Sequence, residues 1–447
     1  MKTRSAVFSL LLAAFVYAQD TAEIESILAN RVDESKKAVG LVIGTIDAKG
    51  PRVTGRGKRA LDRDGKPDGD TVFEIGSITK VFTSLLLADM VERGELKADD
   101  PIAKFLPPTV KVPSRDGRQI TLLDLSTQVS GLPRLPAGFK PADPANPYAD
   151  YDARKLYEFP SGHTLARTPG EKYEYSNLGV GLLGHVLALK AGMSYEELLR
   201  RRIFEPLEMK SSSIQLSVSQ QERLASGHDQ LLKPVRNWDM DVLAGAGAIR
   251  STANDMLKFA AANLELTDSP LKAAMRRMRS IRRETGTPGM SIAMGWHVLT
   301  KFGTAMVWHN GGTAGYRSFL GIVPENKQGV VVLCNTFLDN DAVGFHLLES
   351  KMPVSKLTAS RERKEIAVDP KILETYVGEY EFVPAFVLTV TRDGARLFGQ
   401  ATGQPKLELF AESETEFFVK VVDAQISFLK DGLILHQMGR DQKARKK

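Results

Sequence analysis

The stretch Phe73-Glu74-Ile75-Gly76-Ser77-Ile78-Thr79-Lys80-Val81-Phe82-Thr83 constrains this chain more than any other. Beyond Gly76 the apolar residues Ile78, Val81, Phe82, Leu85 and Leu86 recur at helical spacing, and Gly94 supplies a stop. The pattern predicts a buried helix with Ser77 in its first turn and Lys80 one turn later on the same face. A first-turn serine faces unpaired backbone N–H groups and the positive end of the helix dipole. Those donors suit an anionic tetrahedral intermediate, and an amine within reach can take the hydroxyl proton. A serine cap beside a solvated lysine writes the same Ser-x-x-Lys, so the rest of the chain has to decide between the two.

The N-terminus reads as an export address rather than as structure. Lys2 and Arg4 precede an apolar run from Ala6 to Val16, and Val16-Tyr17-Ala18 fits a small-x-small cleavage site. The run is too short to span a bilayer, and no cysteine follows it to carry a lipid. Cleavage after Ala18 gives an exported, periplasmic or secreted protein with no integral membrane segment. The one cysteine, Cys334, lies in the apolar run Val330–Cys334, which predicts a buried thiol and excludes an intrachain disulfide. The net charge of +6 falls to about +4 without Lys2 and Arg4. Basic residues are dispersed apart from a run at Arg276–Arg279 and the tail Arg445-Lys446-Lys447, which argues against nucleic acid as a partner.

Residues 21–37 predict an amphipathic helix and 38–47 a buried strand. A strand, a turn and a serine-bearing helix are superficially like an α/β-hydrolase elbow, but Gly-x-Ser-x-Gly is absent. Residues 136–169 are rich in Pro, Ala, Asp and Tyr and read as a long loop over a site. Tyr175 and Asn177 then stand at a loop-to-helix junction, where both can face a cleft. Gly245–Thr252 is a glycine-rich entry to another helix without a phosphate-loop ending. The segment from Met306 through His309-Asn310-Gly311-Gly312 to Arg317 and Val323 reads as an antiparallel meander. Residues 353–371 are charged and read as a linker. From 372 to 447, strands bracket Asp393-Gly394 and Asp431-Gly432, predicting a small antiparallel β domain after a main domain of 19–352.

Ser77-x-x-Lys80, Tyr175-Ser176-Asn177 and His309-Asn310-Gly311, in that order, resemble the three motifs of the penicillin-recognising serine hydrolases. The class C β-lactamase-like branch is the nearest match, with similar wording at Ser130-Gly131-Leu132-Pro133, at Gly247–Asp255 and through His309–Phe319. The resemblance covers roughly residues 25–350. It implies an α/β (α+β) fold: an antiparallel sheet flanked by helices, beside an all-helical lobe, with the site between them. It implies Ser77 as the acylated nucleophile, Lys80 as its proton partner, and Tyr175 as a general base whose phenolate Lys80 favours. Asn177 would hold the substrate amide, and the backbone N–H groups of Ser77 and Gly312 would form the oxyanion hole. No metal or organic cofactor is implied, and the substrate would be a small molecule or a cell-wall peptide.

His309 departs from the lactamase pattern, in which a lysine opens the third motif and anchors a substrate carboxylate. An unperturbed histidine is mostly neutral at pH 7, so carboxylate capture there should weaken. Arg317, a few residues on, is a candidate for the missing charge. The expected activity is therefore hydrolysis of β-lactam or D-alanyl-D-alanine-type amide bonds through an acyl-enzyme. The alternatives are a carboxylesterase or D-aminopeptidase of the same fold, and a penicillin-binding or sensing protein without turnover. A separate mechanism would make His309 itself the base for Ser77, although the sequence offers no acid to orient it.

Overall fold

A computed structural model describes residues 21–359, 363–383, 386–422, 424–437 and 440–447. The export address proposed for residues 1–18 lies outside the described residues. A first compact unit runs to Asp229 and resumes over Pro234–Lys356; a second holds Gln230–Lys233 and Leu357–Lys447.

The first unit is built on a sheet of eight described strands: β1 (Gly40–Asp47), β2 (Gly50–Gly57), β3 (Arg283–Glu284), β4 (Met290–Ile292), β5 (His297–Lys301), β6 (Thr304–Gly312), β7 (Arg317–Val323) and β8 (Gln328–Cys334). Their spatial order is β2-β1-β8-β7-β6-β5-β4-β3, with every pairing antiparallel. The central strands are apolar at nearly every position because the sheet is covered on both faces. Leu41, Ile43, Phe319, Val332 and Cys334 enter one core. Val42, Leu320, Ile322, Val331 and Leu333, one residue out of phase, enter the other.

A helix over 21–29, α1, continues through a π-helical turn at Asn30–Glu34 and covers the first face with Ile24, Ile27 and Leu28. Two helices central to the second core are α2 (Thr79–Glu92) and α3 (Asn177–Ala191). Both are apolar nearly all round, as befits helices enclosed by other helices. On the same side α4 (Ala253–Asn263) lies against the sheet through Met256, Leu257 and Phe259. On the opposite face α5 (Asp341–Leu348) packs so closely that a Cβ on Gly344 would sit 2.2 Å from the Phe319 ring. Cys334 is wholly buried, and burial pushes its thiol up to about 11.

The long loop expected at 136–169 contains a helix, Ala153–Gly162, capped by Asp152. Pro160 inside that helix and the scarcity of apolar residues before it conceal the period in the sequence. Among the described residues no single helix is long and apolar enough to cross a membrane, though α3 and the following helical stretch would pass together as a bent pair. Those helices are buried here as core.

In the second unit, eight antiparallel strands from Gly378–Val383 to Arg440–Lys446 close into a barrel, the last pairing with the first at Tyr380↔Lys446. Alternate residues fill its interior, including Tyr380, Val390, Leu397, Phe417, Ile426 and Leu433. Val368, within the stretch read as a linker, joins this core, and the Ile366 N–H donates to the Ala411 carbonyl.

Candidate active site

Ser77 occupies a 3₁₀ turn, Gly76–Ile78, that runs directly into α2. Three constraints fix that turn. Phe73–Glu74 pairs with Arg250–Ser251, the Ile75 N–H donates to the Ile249 carbonyl, and the Ser318 hydroxyl donates to the Ile75 carbonyl at 2.8 Å. Gly76 has φ +50°, and a Cβ there would lie 2.7 Å from the Gly312 nitrogen. Glycine is required at this crossing, and it brings the amides preceding α2 against the end of β6.

Lys80 is completely buried, its Nζ 3.0 Å from the Ser77 Oγ and 2.6 Å from the Ala246 carbonyl to which it donates. That carbonyl belongs to a 3₁₀ turn, Ala244–Ala246, laid against α3. The close approach depends on glycines, because a Cβ on Gly184 would sit 2.9 Å from the Gly245 Cα. The same turn fixes the next position on α2, since the Thr83 hydroxyl donates to the Gly245 carbonyl at 2.7 Å. Burial, aided by the charge of Arg134, holds the Lys80 amine well below its ordinary range. An amine so depressed lies closer to the free-base form, the form that can accept a proton.

Tyr175 precedes α3, whose N-terminus is capped by the Ser176 hydroxyl accepting from the Gly179 N–H at 2.8 Å. Its phenol hydrogen-bonds the Ser77 hydroxyl, and its ring centroid is 4.9 Å from the Lys80 Nζ. Burial pushes this phenol above its usual value, with the bond to Ser77 and the Arg134 charge working against the rise. Asn177 stands at the first turn of α3 with its side chain on the Tyr148 hydroxyl.

His309, on β6, is fully buried, with Nδ1 2.6 Å from the Asn310 carbonyl and Nε2 without a partner among the described residues. Burial and the neighbouring His297 and Lys80 hold it well below its ordinary value, so it is neutral. Among the described residues no carboxylate hydrogen-bonds it, and its ring stands 6.2 Å from that of Tyr175. Gly311 lies against the Ile75 carbonyl, where a Cβ would approach to 2.0 Å. The side chain of Asn310 turns the other way, onto Asp341 of α5. Arg317 pairs with Gly312 and stacks over the Phe337 ring at 3.9 Å, where burial lowers its pKa against the opposing pull of Asp339 and Asp341. By strand alternation Arg317 shares the face of Asn310, not that of His309.

Two residues of this site carry no signal in the sequence. His297 opens β5, opposite Trp308, and its ring is 5.0 Å from that of His309. Burial and Lys80 push its pKa down to about 4, and its Nδ1 has no partner among the described residues. Arg134 follows the Gly131-Leu132-Pro133 bend and places its guanidinium carbon 5.0 Å from the Tyr175 ring centroid. The described residues hold no group of three or more His, Cys, Asp or Glu side chains arranged for a metal.

A serine whose hydroxyl meets a buried amine and a phenol, beside two converging backbone segments, is equipped for acyl transfer. Residues 26–348 match the family described as Beta-lactamase. The chain belongs to the beta-lactamase family. Residues 362–441 of this β-lactamase-family protein match a second family, described as a domain of unknown function, DUF3471. Among curated relatives it is similar to the D-alanyl-D-alanine-carboxypeptidase/endopeptidase AmpH of Escherichia coli K12, at 27% identity over 68% of this chain and 81% of that protein. It is also similar to penicillin-binding protein 4* of Bacillus subtilis, at 25% identity over 84% of this chain and 87% of the relative. A class C β-lactamase from Rhodobacter sphaeroides superposes with a TM-score of 0.64 and 26% identity, covering 74% of this chain and 98% of that one. The fold and the enzyme class expected from the sequence hold: this is a serine hydrolase with an antiparallel sheet flanked by helices and a small β barrel at its C-terminus.

Proposed function

We propose that the protein is an exported hydrolase that cleaves D-amino-acid peptide or β-lactam amide bonds through an acyl-enzyme on Ser77. The observation that carries this reading is the 3.0 Å approach of the buried Lys80 Nζ to the Ser77 Oγ. The names of the relatives support the substrate class, and the pattern at Lys2–Ala18 supports export.

In the proposed mechanism neutral Lys80 takes the Ser77 proton as Oγ attacks the carbonyl carbon. The N–H groups of Ser77 and Gly312 receive the oxyanion, a donor of this kind being worth ~10²–10³-fold in rate. As the tetrahedral intermediate collapses, the Tyr175 phenol gives its proton to the departing amine. The ester then stands beside a Lys80 ammonium and a Tyr175 phenolate, so the phenolate acquires its neighbouring charge at this stage. Water loses a proton to that phenolate as it attacks the ester. Ser77 leaves and recovers its proton from Lys80, which restores the resting site. Asn177 is placed to hold the substrate amide once it releases Tyr148.

The test is time-resolved intact mass spectrometry of the protein with a penicillin, paired with an assay for D-alanine release from a D-Ala-D-Ala peptide. A Ser77-dependent adduct or Ser77-dependent release is expected, and Ser77→Ala abolishes both. Undiminished turnover in Ser77→Ala would reject the mechanism. A carboxylesterase or D-aminopeptidase is the second reading, favoured by the neutral His309 at the site where the lactamase pattern has lysine. It predicts Ser77-dependent ester hydrolysis with neither adduct nor D-alanine release.

A further inference from the structure

We infer that Arg134 is the residue that selects substrates carrying a carboxylate on the leaving-group side of the scissile bond. The inference rests on the acyl-enzyme reading above and assigns the anion contact that His309 does not make.

The backbone of Arg134 is locked to the catalytic segment. Its carbonyl accepts from the N–H groups of Asn177 at 3.0 Å and Leu178 at 3.2 Å, and the adjacent Pro133 carbonyl accepts from the Ser176 hydroxyl at 2.6 Å. Arg134 thus moves with Tyr175 and Asn177 rather than with a free loop. Its guanidinium lies by the Tyr175 ring, 5.0 Å from the centroid. The side chain is exposed, and among the described residues it forms neither an ion pair nor a hydrogen bond. Its charge is nevertheless felt by Lys80, Tyr148, Tyr173 and Tyr175.

The other basic groups are spoken for. Burial lowers the pKa of Lys80, His297 and His309, and Arg317 lies on the opposite face of the strand near Asp339 and Asp341. Among the described residues, Arg134 is the guanidinium whose charge acts on both Lys80 and Tyr175. Tyr175 is the proposed proton donor to the leaving group, so a cation beside it faces the leaving group and not the acyl group. A planar guanidinium with several N–H donors matches a carboxylate in two-point contact. The preferred substrate would bear a terminal carboxylate within about one residue of the bond that breaks.

The experiment compares two acyl-D-alanyl thioesters, one releasing mercaptoacetate and the other mercaptoacetamide, with the thiol measured colorimetrically. The wild type should prefer the mercaptoacetate ester. Arg134→Gln should lower kcat/KM for that ester by about 10–100-fold, the scale of a lost charge-assisted contact, and for the amide analogue by under about threefold. Most of the loss should appear in KM, and Arg134→Lys should restore part of it. An equal loss on both thioesters would make Arg134 a tuner of Tyr175 and overturn the assignment. So would a wild type that fails to prefer the carboxylate, including one that hydrolyses neither ester. Hydrolysis that survives Ser77→Ala would instead reject the acyl-enzyme reading, a separate outcome.

Discussion

Replacing His297 by glutamine should remove much of the protein's sensitivity to mild acid. In the folded chain His297 is 7% exposed, with its pKa pushed down to about 4 by burial and by Lys80. In the unfolded chain it returns to roughly 6.5. Between those values the unfolded state binds the proton and the folded state does not, so stability rises with pH across that window. The contribution is complete above about pH 6.5 and is lost as pH falls toward 4. From pH 7 to pH 5 the cost is close to 1.5 units at 1.36 kcal/mol each, or about 2 kcal/mol.

Protonation inside the fold offers no escape, because the groups facing the ring are His309, Tyr173, Tyr175, Trp308 and Lys80, none of them an anion. His309, also held low, adds a loss of the same sign. His346, raised by Glu23, acts in the opposite direction, which is why the variant and not the absolute slope is the measurement. Urea unfolding at pH 7 and pH 5 can be followed by tryptophan fluorescence, since Trp238, Trp296 and Trp308 all lie in the first unit. The loss between the two pH values should be smaller in His297→Gln than in wild type by about 2 kcal/mol. Equal losses in the two proteins would refute the reasoning.

Three further outcomes follow from the same contacts. If Lys80 acts as the free amine, its lowered pKa should place the acid limb of kcat/KM below the ordinary lysine range; Lys80→Arg, which cannot lose its proton, should lose ~10²–10⁴-fold at every pH. Tyr175→Phe should slow acylation by an amide by a similar factor but spare acylation by a thioester with a good leaving group, which departs without a proton, as read from the rate of acyl-enzyme formation; equal slowing of both acylations would remove Tyr175 as the proton donor. Gly184→Ala forces a methyl to 2.9 Å from the Gly245 Cα, so thermal unfolding should show a loss of about 1–3 kcal/mol, and displacement of the Ala246 carbonyl from Lys80 should shift the acid limb of the rate profile.

Much of this architecture is written in short-range pattern. The apolar run Val330–Cys334 identifies a strand buried on both sides, and the spacing from Ile78 to Leu86 identifies α2 with Ser77 at its entrance. What stays hidden depends on contacts between distant segments. His297 acquires its role only because β5 pairs with β6, setting His297 opposite Trp308 and beside His309. Arg134 follows a recognisable Ser-Gly-Leu-Pro stretch, but nothing local says that its carbonyl will cap α3 and carry the guanidinium to Tyr175. The Ala244–Ala246 turn that holds Lys80 likewise looks like a simple helix entry until Gly184 is seen against it. Closure of the C-terminal barrel needs the pairing of Tyr380 with Lys446, which no hairpin signal foretells.

The two histidines give the site a reason to be built without a fixed cation on β6. Lys80 must be neutral to accept the Ser77 proton, and it must then carry that proton while the ester forms. A permanent charge on β6 would depress Lys80 further and oppose its protonation at the moment of attack. Neutral His309 and His297 impose no such opposition, since each is itself depressed by Lys80 and stays uncharged. In the proposed mechanism the lysine charge is instead balanced when the Tyr175 proton leaves with the amine, so that ammonium and phenolate appear in the same buried space. Arg134 is exposed, so the charge it exerts on Lys80 is open to screening by solvent, unlike that of a buried lysine on β6. On the proposed reading, carrying the carboxylate contact on the Pro133–Arg134 bend leaves β6 without a buried cation beside Lys80. His309→Lys should test that separation: a second cation on β6 would lower the Lys80 affinity for its proton and slow acylation of a neutral thioester, even as it strengthens binding of a carboxylate. Faster acylation of the neutral thioester in that variant would show that the buried histidines leave the proton balance of Lys80 untouched.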